Sequence, residues 1–333
     1  VTPSEARPPA FRARFPWWGG DLQTLRNTLT RQARRRFPRG RSLMIDLTQG
    51  DVTFAALNRP ESGVGPGRPL AVLIHGLTGS SSSGYIKLTA RHFLDAGHPV
   101  ARINLRGAGE AAHTCRGAYH AGRSEDLAAI LAALSREPEA EAGLIAIGFS
   151  LGGNVLLKLL GEEGTAAPLR AAIAVSPPID LKATQRRMMA LRNHLYHRYI
   201  LAEMKREALT GPSDLDDHML ATVGRVRSVL DFDEHVIAPR NGFAGALDYY
   251  RRSSANGHLA GIAVPTLLIH ARNDPWIPFA MFEAVDWRRH PAIATAFPAS
   301  GGHVGFHATG SAEPWYCPVA SHWVETATQS CPA

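Results

Sequence analysis

The chain has 333 residues, 45% of them hydrophobic and 20% charged, and a formal net charge of +7. This length can bury a large core, as one big α/β domain or two smaller ones, and the composition is that of a globular protein. No apolar run approaches the roughly 18 residues of a membrane-spanning helix. The basic surplus is almost wholly arginine and comes with no helix-turn-helix, RNP or zinc-finger pattern, which argues against a nucleic-acid partner.

Residues 1–40 read as an N-terminal extension with a helix over about 21–35. Its first twenty residues carry arginines and prolines but no apolar h-region, so no secretory signal is expected. The densest basic run, Arg31 to Arg41, falls here and reads as a solvated or membrane-surface-facing patch. Two amphipathic strands follow at 42–47 and 52–57, with Gly50-Asp51 at the turn. A Pro/Gly-rich loop over 59–68 leads to a strongly apolar strand at 70–74. From there apolar strands at 100–104, 144–147, 171–175, 265–270 and 292–297 alternate with helical stretches at 85–96, 122–134 and 155–160. Short β-rich runs separated by helices predict an α/β fold, a mostly parallel sheet with helices on both faces.

The alternation breaks over about 180–239, which carries no strand and reads as a helical insertion where a lid would sit. Met188, Leu191, Leu195 and Tyr199 form one stripe there, read as core packing, with arginines on other faces. Nothing suggests a linker between independent domains, so residues 41–333 are expected to form one domain. The three cysteines, Cys115, Cys317 and Cys331, have no CxxC spacing and support neither a zinc site nor a disulfide framework. Their use fits a reducing, cytoplasmic setting, with a single Cys317–Cys331 bridge left open.

Chemistry is concentrated in Gly148-Phe149-Ser150-Leu151-Gly152. An apolar strand enters it and a helix leaves it, the context of a nucleophile elbow. The tight turn needs small residues two positions either side of the serine, supplied by Gly148 and Gly152. It lifts the Ser150 hydroxyl toward a helix N-terminus, where free N–H groups favour developing negative charge. An acyl-transfer serine also needs an acid and a histidine, in that order, past later strands. Asp274 follows the strand at 265–270 and His303 follows the one at 292–297. Asp231, Asp233 and Asp248 are competing acids without a preceding strand. The expected oxyanion donors are the N–H groups of Leu151 and Leu77, the latter in His75-Gly76-Leu77-Thr78-Gly79. His75 is expected to brace that loop, beside Gly76, and Ser80 to Ser83 to form a pocket rim. This chemistry requires no metal and no organic cofactor. The expected partner is a small acyl ester or lipid, with peripheral contact to a membrane surface.

Together these residues resemble the α/β-hydrolase superfamily, and more narrowly its YheT-like branch (AB hydrolase family 4). The narrower likeness rests on Leu22-Gln23-Thr24, the His75–Gly79 loop, Asn104-Leu105-Arg106-Gly107 and Tyr119-His120-Ala121-Gly122 followed by Asp126. It continues through the Ser150 elbow with Gly153-Asn154, then Gly242-Phe243 with Tyr249-Tyr250, Asn273-Asp274-Pro275 and Gly302-His303-Val304-Gly305. Ala108 stands where the family often has cysteine, and Arg240-Asn241 replace the usual apolar-His pair. The resemblance implies carboxylester hydrolysis, with relatives acting on medium-chain acyl esters, including phospholipase and alcohol O-acyltransferase activities. A hydrolase-fold protein used only for binding is the alternative of a different class.

Overall fold

A computed structural model describes residues 10–29, 37–212 and 215–329. The centre of the basic run, residues 31–36, and Cys331 lie outside the described residues. Eight strands form one sheet: β1 (Arg41–Asp46), β2 (Val52–Asn58), β3 (Leu70–Ile74), β4 (Val100–Ile103), β5 (Leu144–Phe149), β6 (Ala171–Val175), β7 (Thr266–Ile269) and β8 (Ile293–Ala296). Their order is β1-β2-β4-β3-β5-β6-β7-β8. The hairpin β1–β2 and the β2–β4 pair are antiparallel, and every later pairing is parallel. The predicted mostly parallel α/β sheet is therefore the fold observed, with the two amphipathic strands at its antiparallel edge.

Every residue of β3, β5 and β6 is buried, as continuous apolar runs in a sheet covered on both faces require. Alternation assigns the faces. Leu73, Ile147 and Ile173 pack on one side with Phe93 of α2 (Gly84–Asp95) and Tyr316 of a C-terminal helix, Tyr316–Gln329. Val72, Ala146 and Ala172 pack on the other with Leu127 of α3 (Ser124–Leu134) and Leu156 of α4 (Leu151–Glu163). Cys115 and Cys317 are buried free thiols.

The N-terminal helix α1 (Gly20–Leu29) lies against the loop after β8. The Gln23 amide donates to the carbonyl of His307 and accepts from its N–H, and Ala13 bridges Ala308 in antiparallel fashion. Between β6 and β7 comes a helical insertion, running from α5 (Leu181–Met189) through α6 (His194–Ala208), α7 (Asp217–Arg225), α8 (Val229–Phe232) and α9 (Ala238–Arg240) to α10 (Ala246–Ser253). It extends past the predicted end at 239. The apolar stripe here departs from its reading as core. Met188 is buried, but Leu191 is 91% exposed and Leu195 79%, with Tyr199 also exposed. The buried face of α6 is instead His197, Ile200, Leu201 and Met204. Two apolar faces share this helix, and helical periodicity cannot say which one meets the rest of the protein.

Candidate active site

Strand β5 ends at Phe149 and α4 starts at Leu151, so Ser150 alone makes the turn. Its φ of 50° and ψ of −122° lie in a region that a non-glycine residue enters only under strain. Neighbouring backbone leaves no room for side chains. A Cβ on Gly148 would sit 2.6 Å from the Gly152 carbonyl oxygen, and one on Gly152 would sit 2.3 Å from that of His75. Ser150 N–H donates to the Val175 carbonyl at 2.9 Å, tying the turn to β6.

His303 Nε2 lies 2.9 Å from Ser150 Oγ, and its Nδ1 lies 2.8 Å from Asp274 Oδ2. The other carboxylate oxygen of Asp274 accepts the N–H groups of Trp276 and Ile277 at 2.8 and 3.0 Å. Burial pushes the Asp274 carboxyl up, but the His303 ring and the Ile277 N–H outweigh it and hold it below the ordinary carboxylate value. An ionised Asp274 can only accept, so the His303 proton sits on Nδ1, and Nε2 is left to accept from the Ser150 hydroxyl. The three residues singled out from the sequence thus form one hydrogen-bonded chain. The competing acids are engaged elsewhere: Asp231 accepts from Arg227 N–H, Asp233 from the Tyr250 hydroxyl, and Asp248 pairs with Arg251 and Arg252.

The loop after β3 passes directly over Ser150, and a Cβ on Gly76 would lie 2.9 Å from the serine Cβ. Within it, Gly76 N–H donates to the Tyr85 hydroxyl at 2.9 Å and Thr78 N–H to the Tyr119 hydroxyl at 2.7 Å. The Leu77 N–H between them makes no hydrogen bond among the described residues, nor does the Leu151 N–H at the start of α4. His75 is fully buried. Leu105 N–H donates to its Nε2, and its Nδ1–H donates to the Gly76 carbonyl. Burial lowers its pKa to about 4, so the ring is neutral and both nitrogens serve the loop.

Several supports have no role assigned from the sequence, although Thr24 and Tyr119 belong to the motifs that carry the family likeness. The Thr24 hydroxyl accepts from His303 N–H at 2.8 Å across the whole chain. Trp276 stacks on the His303 ring with centroids 4.5 Å apart. Tyr119 donates to Glu207 of the insertion at 2.9 Å, linking the loop over Ser150 to α6.

Ser150, His303, Leu77 and Leu151 border a cavity of about 470 Å³, within the range of small-molecule sites. Its walls are mostly apolar and come in part from the insertion, including Met188, Ile200, Met204 and Val229. Among the described residues no cluster of three or more His, Cys, Asp or Glu side chains could hold a metal ion, and no helix is long and apolar enough to cross a membrane.

A serine hydroxyl aligned with an imidazole nitrogen, beside two free N–H groups and an apolar cavity, is suited to acyl transfer. Comparison with known proteins places the chain in context. Residues 69–307 match the family model described as alpha/beta hydrolase fold. Over 243 residues the chain is 35% identical to YheT of Escherichia coli, whose name carries the word esterase; the match covers 72% of this chain and 71% of YheT. It is 29% identical to medium-chain fatty acid ethyl ester synthase/esterase 2 of Saccharomyces cerevisiae, covering 72% of this chain but 58% of the yeast protein. The solved esterase Pf2001 of Pyrococcus furiosus superposes with a TM-score of 0.58 at 16% identity, covering 96% of this chain and 99% of that one, a likeness of fold. By its family model and its identity to YheT, the chain belongs to the α/β-hydrolase family, in its YheT-like branch.

Proposed function

We propose that this chain is a serine carboxylesterase or lipase-like hydrolase that cleaves short- to medium-chain acyl esters through an acyl-enzyme on Ser150. The observation that carries the reading is the Ser150–His303–Asp274 hydrogen-bonded chain opening on an apolar cavity. His303 Nε2 takes the hydroxyl proton as Ser150 Oγ adds to the ester carbonyl, while Asp274 stabilises the imidazolium. The N–H groups of Leu77 and Leu151 receive the oxyanion. Collapse of the tetrahedral adduct expels the alcohol, which takes the proton from His303. Water then adds to the acyl-enzyme in the reverse sense and releases the acid. No step needs a metal or an organic cofactor.

Two measurements test this reading. A fluorophosphonate probe is expected to label Ser150 stoichiometrically, and p-nitrophenyl esters of graded chain length are expected to be cleaved, with a preference for short to medium acyl groups. An unlabelled Ser150 with no ester turnover would leave a hydrolase fold used for binding. Acyl transfer to an alcohol is the second reading, favoured by the synthase/esterase name of the yeast relative. Ethyl esters forming from an acyl donor in the presence of ethanol would establish it.

The substrate proposed is a small acyl ester or lipid, met in part at a membrane surface. Support for that contact comes from the rim of the insertion, where exposed Leu191, Leu195 and Tyr199 alternate with exposed Arg192 and Arg198. The nearby segment carrying exposed Phe15, Trp18 and Leu22 is tied to this rim by the Asp21–Arg192 pair and the Tyr196–Asp21 hydrogen bond. Apolar side chains framed by arginines suit an anionic interface. The protein is therefore expected to float with vesicles containing anionic phosphatidylglycerol and not with pure phosphatidylcholine vesicles. Equal recovery with both would remove the electrostatic part of this contact.

A further inference from the structure

The cavity beside Ser150 holds an acid that the proposed hydrolysis does not use. Asp233 lines it, although the side chain is only 6% exposed. Its Oδ2 accepts the Tyr250 hydroxyl at 2.6 Å, and its Oδ1 makes no hydrogen bond among the described residues. The carboxyl is mostly buried while Oδ1 keeps some access to the cavity, so an occupant that offers no donor there leaves that oxygen desolvated and unpaired, which is costly. The backbone around it is also unusual. Residues Asp233–Ile237 form a π-turn inside the helical run from α8 to α9, ahead of Pro239, which lacks the N–H that a regular helix would use there. Such turns are rare and are frequent at functional sites. Tyr249 and His120 line the same cavity, and His120 Nδ1 accepts Gly122 N–H, so the neutral ring carries its proton on Nε2.

We infer that Asp233, held by Tyr250, is a specificity-determining residue that binds a hydroxyl of the substrate at a distance from the scissile carbonyl. The inference rests on the ester-hydrolase reading above and names the substrate class it takes: acyl esters with a hydroxyl on the acyl chain or on the alcohol. A hydroxyl both donates and accepts, and so matches the free Oδ1 on one side and a neutral donor such as His120 on the other. Burial supports the match, because it raises the Asp233 carboxyl to about 7 despite the Tyr250 hydrogen bond. Near neutral pH the group therefore does not demand a cation as its partner. A plain alkyl substrate leaves Oδ1 desolvated and unpaired, whereas a hydroxyl-bearing one satisfies it.

The test is a ratio of kcat/KM values for matched esters on a single protein preparation, since the fraction of folded enzyme cancels. Ethyl hexanoate against its ω-hydroxy counterpart probes the acyl side. Propyl hexanoate against hexanoylglycerol probes the alcohol side. The wild type is expected to favour the hydroxyl-bearing member of one pair by roughly tenfold to a hundredfold. Asp233→Leu is expected to abolish that preference. Tyr250→Phe, which frees the second carboxylate oxygen, is expected to keep or increase it, and His235→Ala, exposed on the same turn, to leave it unaltered. A merely structural Asp233–Tyr250 pair would instead lower the stability of both variants and move neither ratio. Turnover with both wild-type ratios near one, or a preference surviving in Asp233→Leu, overturns the inference while leaving the hydrolase reading intact. Absence of turnover on every ester removes the hydrolase reading and this inference with it.

Discussion

Ser150→Ala is expected to lower ester turnover by roughly 10⁴- to 10⁶-fold, the range seen when a nucleophile acting with its base and acid is removed. The variant loses the hydroxyl that stands 2.9 Å from His303 Nε2 while keeping the Asp274–His303 pair and both free N–H groups. Residual activity should therefore come from water attacking an ester polarised by Leu77 and Leu151. The fold should be unaffected, because alanine carries the same Cβ into the same strained turn at φ 50°. Steady-state hydrolysis of a p-nitrophenyl ester, beside a thermal melt of both proteins, separates the two effects. Rates within a few fold of wild type at an unchanged melting temperature would show that Ser150 does not carry the reaction.

The largest expected effect on stability lies away from the site, at Arg106. Its side chain is fully buried, and all five of its N–H donors are used. Nε and one Nη2 hydrogen go to Asp126 at 2.7 and 2.5 Å, and Nη1 goes to Asp51 at 2.5 Å. The remaining donors reach the Thr48 carbonyl and hydroxyl, each at 3.0 Å. Asp51 in turn accepts the N–H groups of Arg116 and Gly117. One guanidinium thus joins the turn between β1 and β2, the loop after β4 and the start of α3. Arg106→Met would strand two buried carboxylates and should cost about 3–5 kcal/mol, a fall in melting temperature of roughly 4–7 °C for a chain of this length. Arg106→Lys should recover little of this, since an ammonium has three donors and no planar fork.

A pH dependence follows with a definite sign. Burial pushes Asp51 up, but the Arg116 N–H and the Arg106 guanidinium outweigh it, and the net shift is downward. A carboxyl lowered by folding stabilises the protein above its unfolded pKa, and that stability is lost as pH falls through the folded value. Arg106→Met lacks the guanidinium's part of this contribution, so its stability deficit against the wild type should be full near neutral pH and shrink as pH falls through the folded Asp51 value. Melting temperatures of the two proteins compared across the acid range check this, and a deficit that stays constant would contradict this account. The loop it holds also carries Tyr119, whose hydroxyl accepts Thr78 N–H over Ser150, so activity should fall along with stability.

Much of the fold could be read locally. The all-apolar runs at 70–74, 144–147 and 171–175 are strands because a sheet covered on both faces needs apolar residues on both. The elbow could be read because its constraints sit within five residues: small groups at 148 and 152 and a strained serine between them. Asp274 and His303 were legible through their order and the strands ahead of them. Arg106 and Asp126 were visible as signatures without a stated role, because a buried ion pair has no sequence spacing of its own.

The amino-acid sequence by itself determined the parallel α/β sheet, the turn at Ser150 and which acid and histidine follow it, since strand periodicity and turn geometry act between near neighbours. Tertiary structure alone decided the rest. Thr24 meets the N–H of His303 279 residues away, and the Tyr85 and Tyr119 hydroxyls occupy the N–H groups on either side of Leu77. It also turned Leu191 and Leu195 outward where their spacing suggested core, and set Asp233 in the wall of the cavity. Helical spacing defines a face without saying what lies opposite it, and a hydrogen bond between distant segments leaves no pattern in either one. Only the packing of the insertion and the N-terminal helix on the sheet supplies those partners.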